Sequence, residues 1–374
     1  MRTRAPAFAG IVAVALASAA PQCASAAGGG RDLKIERLGP VQYARSQHTA
    51  TLLRSSKVLI AGGTGGGANR SEIYDPATRS FLMHAPMTGP RVGHTATLLR
   101  DGRVLLLGGR VAVLPTASGE LYQPDSARFV ATQEMAYARK GHTATLLRDG
   151  RVLVAGGHDG SRALALAEIY DPVSGAFQTT GSMTEPRYAH AAALLGDGRV
   201  LLAGGSGFDD NALSSVEIFD PRSGRFKSAA VLSHARSEPA IVTLLDGRVL
   251  VLGGSNVQKV LEKDYAGEDV VRLVQQPLAS VEIYDPARAT FDPADALSNT
   301  RFEFPNAVAL NADGSVIVVS GGSPIVEVFN RATMAFTDVP GRLDSAFSYG
   351  TATALPDGSV LVFGPAAWLV RALR

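Results

Sequence analysis

Cysteine is almost missing from this chain: of 374 residues, one is cysteine, Cys23. A lone thiol closes no internal disulfide and builds no thiolate metal cluster, so stability has to come from packing. Tryptophan also occurs once, and aromatic residues make up 6% of the sequence. An excess of either charge is lacking too, with 36 basic against 34 acidic side chains. That balance argues against nucleic acid as a general partner. The longest apolar stretch, "APAFAGIVAVALASAA", is too short to cross a bilayer comfortably.

That stretch is expected to serve another purpose. It follows the basic "MRTR" and precedes the small-residue site Ala24-Ser25-Ala26. The pattern is that of a secretory leader, residues 1–26, cut near Ala26/Ala27, with the product in the periplasm or outside the cell. Pro21 and Gln22 fit a lipid-attachment box poorly, although Cys23 follows them. Cleavage removes Arg2, Arg4 and Cys23 and leaves 34 basic against 34 acidic side chains.

Glycine, by contrast, is plentiful, and it is periodic. Pairs recur at Gly62-Gly63, Gly108-Gly109, Gly156-Gly157, Gly204-Gly205, Gly253-Gly254 and Gly321-Gly322. A second marker, of the type "EIYDP", begins at Glu72, Glu120, Glu168, Glu217, Glu282 and Glu327. Nine residues after each glutamate stands a phenylalanine, and ten residues further an arginine, until Ala346 breaks the series. Fixed spacings with slack in one place per unit mean a repeated module.

Each module reads as four short strands. "HTATLL" is the first, and the Asp-Gly pairs at 101, 149, 197 and 246 mark a hairpin in which both central residues are expected at positive φ. "RVLLLGG" is an apolar second strand that must be covered on both faces. "EIYDP" is a third, ended by a proline that cannot continue a ladder. The segment around the phenylalanine is the fourth. Four-stranded units at this period predict an all-β, seven-bladed β-propeller as one domain, residues 27–374, with blades starting near 45, 91, 139, 187, 236, 301 and 346. Residues 31–41 are expected to supply the last blade's missing strand; six blades with unclosed termini is the alternative.

These motifs, "R-x-x-H-T-A-T-L-L-x-D-G-R-V-L-x-x-G-G" followed by "E-I-Y-D-P", resemble the kelch repeat of bacterial secreted proteins and of the galactose oxidase propeller. The resemblance covers residues 31–374 and implies a fold, since one propeller hosts unrelated activities. The oxidase's copper site needs a tyrosine bonded to cysteine, which the mature chain lacks, and a Tyr-His pair opening a blade. The matching third positions read Gln47, Gly93, Gly141, Ala189, Glu238, Glu303 and Ser348, none of them tyrosine, and Tyr188 comes one residue early. No copper site, other metal or cofactor is therefore expected. The sialic acid mutarotases, a second kelch class, need only a positioned acid and base.

Antiparallel strands put the Asp-Gly turns on one face of the disc and the arginines and post-glycine loops on the other. Arg45, Arg91, Arg139, Arg187, Arg236 and Arg301 are thus expected to ring one mouth, where several forks would suit a carboxylate, sulfate or phosphate. A feature copied so often equally fits a role inside each blade. His48, His94, His142 and His190 read as neutral residues bridging neighbouring backbone groups. The exceptions carry more information: Pro239, Phe304 and Tyr349 stand where the histidine is expected. Residues 255–280 form a long charged insertion on the arginine face, with Glu262, Lys263, Asp264, Tyr265, Glu268 and Asp269. Asp209, Asp210 and Asn211 lack the pattern of a calcium loop.

Two functions fit. One is a monomeric binding module whose arginine mouth, with Asp264, Tyr265 and Tyr349, captures a glycan or an acidic protein segment. The other is a metal-free carbohydrate enzyme, such as a mutarotase or epimerase, using Glu238 and Glu303 as acid and base.

Overall fold

The computed structural model describes residues 11–12, 33–263, 269–303 and 305–372. The expected leader therefore lies outside the described residues, except that Ile11–Val12 pairs in parallel with Thr143–Ala144. No helix among the described residues is long and apolar enough to cross a membrane.

Seven four-stranded antiparallel sheets follow one another along the chain as the blades of a propeller. Blade three is representative, with strands Thr143–Leu146, Val152–Ala155, Ala167–Asp171 and Ala176–Thr179 in spatial order. The second strand is apolar on both faces because it is covered on both: Val152, Leu153, Val154 and Ala155 are all buried. The core is accordingly a ring of inter-blade layers. Leu59, Ile73 and Met87 of blade one meet Val104, Leu106 and Tyr122 of blade two, and the same pattern continues between later blades. The outer strand's phenylalanine tilts against the aromatic of the third strand, as Phe177 does on Tyr170 with ring centroids 4.9 Å apart.

Ring closure joins the two ends of the chain. Leu33–Arg37 pairs antiparallel with Ala367–Ala372, so blade seven takes its outer strand from the N-terminal side and the six-bladed alternative is excluded. The expected turn geometry needs correction. In each Asp-Gly turn only the glycine is left-handed, for example Gly102 at φ 92° and Gly150 at φ 94°. Leu99 N donates to Arg103 O at 2.8 Å and Gly102 N to Leu99 O at 3.1 Å. These are three-residue loops, Arg100-Asp101-Gly102, in which the glycine forms the bulge.

The insertion in blade five forms a β-ribbon, with Ser255–Lys263 paired along its length to Asp269–Pro277. Asp264 and Tyr265, two of the expected ligand-binding residues, lie outside the described residues, as do Glu268 and Phe304.

Candidate functional site at the channel mouth

The six repeat arginines do not present themselves at the mouth. Arg45, Arg91, Arg139, Arg187, Arg236 and Arg301 are each at most 2% exposed. Each pairs with the glutamate of its own blade's third strand: Arg139 Nη2 with Glu168 at 2.6 Å, Arg236 with Glu282 at 2.7 Å, Arg301 with Glu327 at 2.6 Å. Arg91 reaches Glu120 at 2.5 Å, Arg187 reaches Glu217 at 3.1 Å, and Arg45 pairs with Glu72. Other arginine donors reach backbone carbonyls of the glycine-pair turn and of the approach to strand three, as from Arg139 Nη1 to Gly156 O at 2.7 Å and Leu166 O at 3.1 Å. The glutamate in turn accepts a backbone N–H from the loop leading into the blade, such as Ala136 N on Glu168 at 2.8 Å. The pair pins strand three to the blade's start, which corrects the expectation of an arginine-lined mouth.

The histidines stitch blades together through side chains rather than backbone groups. Nε2 of His94, His142 and His190 bonds Oγ1 of Thr49, Thr95 and Thr143 on the preceding blade, each at 3.0 Å, and His48 bonds Thr351 at 3.1 Å across the ring closure. Desolvation, reinforced by nearby arginines, pushes His94 and His142 down to about 3. They are neutral, as expected.

The mouth itself is built by the residue before each histidine. Gln47, Gly93, Gly141, Ala189, Glu238, Glu303 and Tyr349 all have positive φ, between 53° and 65°. Their backbones hydrogen-bond from blade to blade: Gly93 N to Gln47 O at 2.9 Å, Glu238 N to Ala189 O at 2.8 Å, Tyr349 N to Glu303 O at 2.7 Å. Gln47 N to Tyr349 O at 3.3 Å closes the circle. Tyr349, not Ser348, therefore holds the third position of blade seven, and Gly350 takes the histidine's place. Where the oxidase resemblance calls for a Tyr-His pair, the tyrosine is present and the next residue is glycine.

Three of these side chains converge. Tyr349 Oη donates to Glu238 at 3.2 Å from both Oε1 and Oε2, across a separation of 111 residues. Glu303, on the blade between them, also hydrogen-bonds Ser348 and Tyr349, so the phenol faces two carboxylates. Glu238 is 5% exposed and Glu303 half-buried. Burial raises the Glu303 carboxyl above its usual range against the pull of those two hydrogen bonds. Burial and the two carboxylates hold the Tyr349 hydroxyl far above 10, so it stays protonated and donates.

The opposite side of the mouth is cationic. Arg110 Nη2 donates to Gln47 Oε1 at 3.0 Å, and half-buried Lys140 lies near enough to feel both Arg110 and Asp210. Lys140 is depressed chiefly by burial, as is His158, whose ring packs edge-on to Tyr188 at 5.1 Å. Tyr188 Oη donates to Asp210 Oδ1 at 2.9 Å, and Asn211 Nδ2 donates to Asp209 at 2.6 Å, which gives the blade-four loop internal partners. Of the expected residues, then, the structure brings together Glu238, Glu303 and Tyr349. The unforeseen members are Gln47, Arg110, Lys140 and His158, of which Arg110 and His158 directly follow glycine pairs.

This architecture is that of a seven-bladed β-propeller. The sequence model of the Kelch motif matches residues 139–184 and 187–230, which are blades three and four, so the chain carries Kelch motifs there. No curated protein matches the sequence. Among solved structures, a novel fungal alcohol oxidase of the AA5 family in complex with copper is similar in fold, with 15% identity and a TM-score of 0.65, over 92% of this chain and 77% of that one. YjhT is similar too, with 14% identity and a TM-score of 0.60, over 87% of this chain and 99% of that one. At such identities the likeness concerns the fold.

Proposed function

We propose that the chain is an exported binding propeller that seats a small hydroxyl-rich ligand, a sugar, at the channel mouth. The observation that carries this reading is the cluster of Tyr349 hydrogen-bonded to Glu238 and Glu303 at the mouth. Two carboxylates and a phenol oxygen offer several directed acceptors in a buried setting, the complement that a sugar's adjacent hydroxyls need. Arg110 and Lys140 across the mouth add donors for a second group on the ligand. Kelch propellers generally bind proteins, and the exposed loops around this mouth leave room for a partner to deliver such a group.

Calorimetric titration with neutral sugars and sugar acids tests the proposal, on the wild type and on Tyr349→Phe and Glu303→Gln. Binding by the wild type that weakens about tenfold or more in either variant is the expected result, equivalent to about 1.4 kcal/mol. Sugar binding that both variants retain in full removes the mouth as the site.

The raised Glu303 carboxyl beside a protonated phenol also favours a second reading, turnover of the bound sugar by proton exchange. Anomer exchange followed by NMR decides it: acceleration lost in Glu303→Gln supports catalysis, and no acceleration by wild type leaves binding alone.

A further inference from the structure

The face opposite the mouth carries a second set of arginines with a different fate from the buried six. Arg54, Arg100 and Arg148 occupy the same position in three consecutive blades, two residues past the end of the inner hairpin's first strand, and all are exposed. Each reaches sideways to the next blade: Arg54 Nη2 donates to Arg100 O, Arg100 to Arg148 O, and Arg148 to Gly196 O. The arms lie flat over the next turn's glycine, where an added Cβ would come within 3.1, 3.2 and 3.0 Å of the Cδ atoms of Arg54, Arg100 and Arg148 at Gly102, Gly150 and Gly198. Three flexible cations are thus held in a row, with their ordering entropy already spent on folding.

Their charge is not neutralised in place. The neighbouring Arg103, Arg151 and Arg199 fold back on Asp101, Asp149 and Asp197 at 2.6 to 2.7 Å. Among the described residues, no carboxylate stands within ion-pair distance of Arg54, Arg100 or Arg148. A groove of about 670 Å³ continues the row between blades three and four, lined by Arg148, Arg222 and the acidic Asp220 besides the two internally paired turns.

The row ends on aliphatic groups. In blade five Leu245 takes the arginine's position, stays 52% exposed and lies over Gly314 as the arginines lie over their glycines. Val173, 97% exposed, stands on the turn whose Pro172 O accepts from Arg103 at 2.9 Å, on the same face. Ordered guanidinium groups beside exposed aliphatics suit carboxylates followed by an apolar side chain.

We infer that the Asp-Gly face of blades one to five is a docking surface for an acidic, leucine-bearing segment of a partner protein, held by Arg54, Arg100 and Arg148 with Leu245 at one end. The site is independent of the mouth and of whatever the mouth binds.

Fluorescence anisotropy of the full chain with a labelled oligo-glutamate peptide, with and without terminal leucines, tests this. Arg54→Gln/Arg100→Gln/Arg148→Gln is expected to weaken binding at least about tenfold, the summed effect of three exposed ion pairs. Because those arms also touch neighbouring blades, Gly196→Arg supplies a test that does not depend on how the triple variant folds. Gly196 has no positive φ and nothing within 4 Å of an added Cβ, so a fourth arm fits and is expected to tighten binding about threefold. Leu245→Ser is expected to weaken only the leucine-ended peptide, and Glu303→Gln to change neither. Unchanged affinity in both the triple variant and Gly196→Arg overturns the proposal. So does a polyuronate that competes as well as the leucine-ended peptide, which would mark a general polyanion surface.

Discussion

Phe347 and Trp368 stack with ring centroids 5.6 Å apart and an interplanar angle of 13°, at the two places in blade seven where the other blades hold their Arg–Glu pair. Phe347 O accepts from Gly322 N as Arg301 O accepts from Gly254 N, and Trp368 pairs with Val362 as Glu168 pairs with Val154. Both charges have been exchanged together for two aromatic rings. The exchange is physically reasonable, because a buried ion pair has to offset two desolvation penalties and an apolar pair of matching volume does not incur them.

The same reasoning predicts how blade three responds. Arg139→Met alone leaves the Glu168 carboxyl buried without its cation, and is expected to cost about 3–5 kcal/mol. Adding Glu168→Leu removes the orphaned carboxyl and is expected to recover most of that loss. Urea unfolding of the wild type, single and double variants measures both steps; a double variant no better than the single would show that the backbone carbonyls around Arg139, not the charge, dominate the site.

The buried histidines predict acid sensitivity. His94 and His142 are held at about 3 in the folded chain, against 6.5 for an ordinary imidazole. The unfolded chain takes up protons that the folded chain refuses, so their contribution is complete above about pH 6.5 and is lost as pH falls towards about 3. Each such group adds a slope of about 1.4 kcal/mol per pH unit in that window. His142→Gln should flatten the fall of the urea midpoint between pH 7 and pH 5, and an unchanged slope would place the acid sensitivity elsewhere.

Much of this was legible because six modules keep the same spacing. The strands, the blade count and the closing strand around Ile35 follow from repetition. Blade seven misled by a single residue: Ala346 keeps the ten-residue interval after Phe336, yet the hydrogen bonds put Phe347 in the arginine's place and so Tyr349 in Gln47's. Identity-based alignment cannot see an ion pair replaced by rings. The arginine pairing had a signal that spacing overlooked, since Arg and Glu occur together in six blades and disappear together from the seventh. The meeting of Glu238 with Tyr349 across 111 residues depends on ring closure, which no local pattern encodes.

Closure itself is open to test. Leu33–Arg37 supplies every ladder partner of the last blade's third strand on that side, and Ile35 packs with the largest apolar cluster. A chain beginning at Gly39 is expected to expose that edge, melt markedly lower and associate through it. Adding a peptide of residues 31–39 in excess should restore part of the melting temperature. Unaltered melting of the shortened chain would mean that the inter-blade core alone holds the ring.

Glu303 connects stability with the proposed site. Its carboxyl is raised by burial, so the folded chain holds a proton that the unfolded chain releases. A raised group contributes stability below its unfolded value and loses it as pH rises through the folded one. Ionised Glu303 therefore weakens the fold at neutral pH, and Glu303→Gln is expected to stabilise the chain there while making no difference at low pH where the carboxyl is neutral. A gain in melting temperature at pH 7.5 that vanishes near pH 4 would match this sign. A loss at both values would mean that Ser348 and Tyr349 depend on the carboxylate for their positions. Stabilisation together with weakened ligand binding is the pattern expected of a residue kept for what it binds at the cost of the fold that carries it.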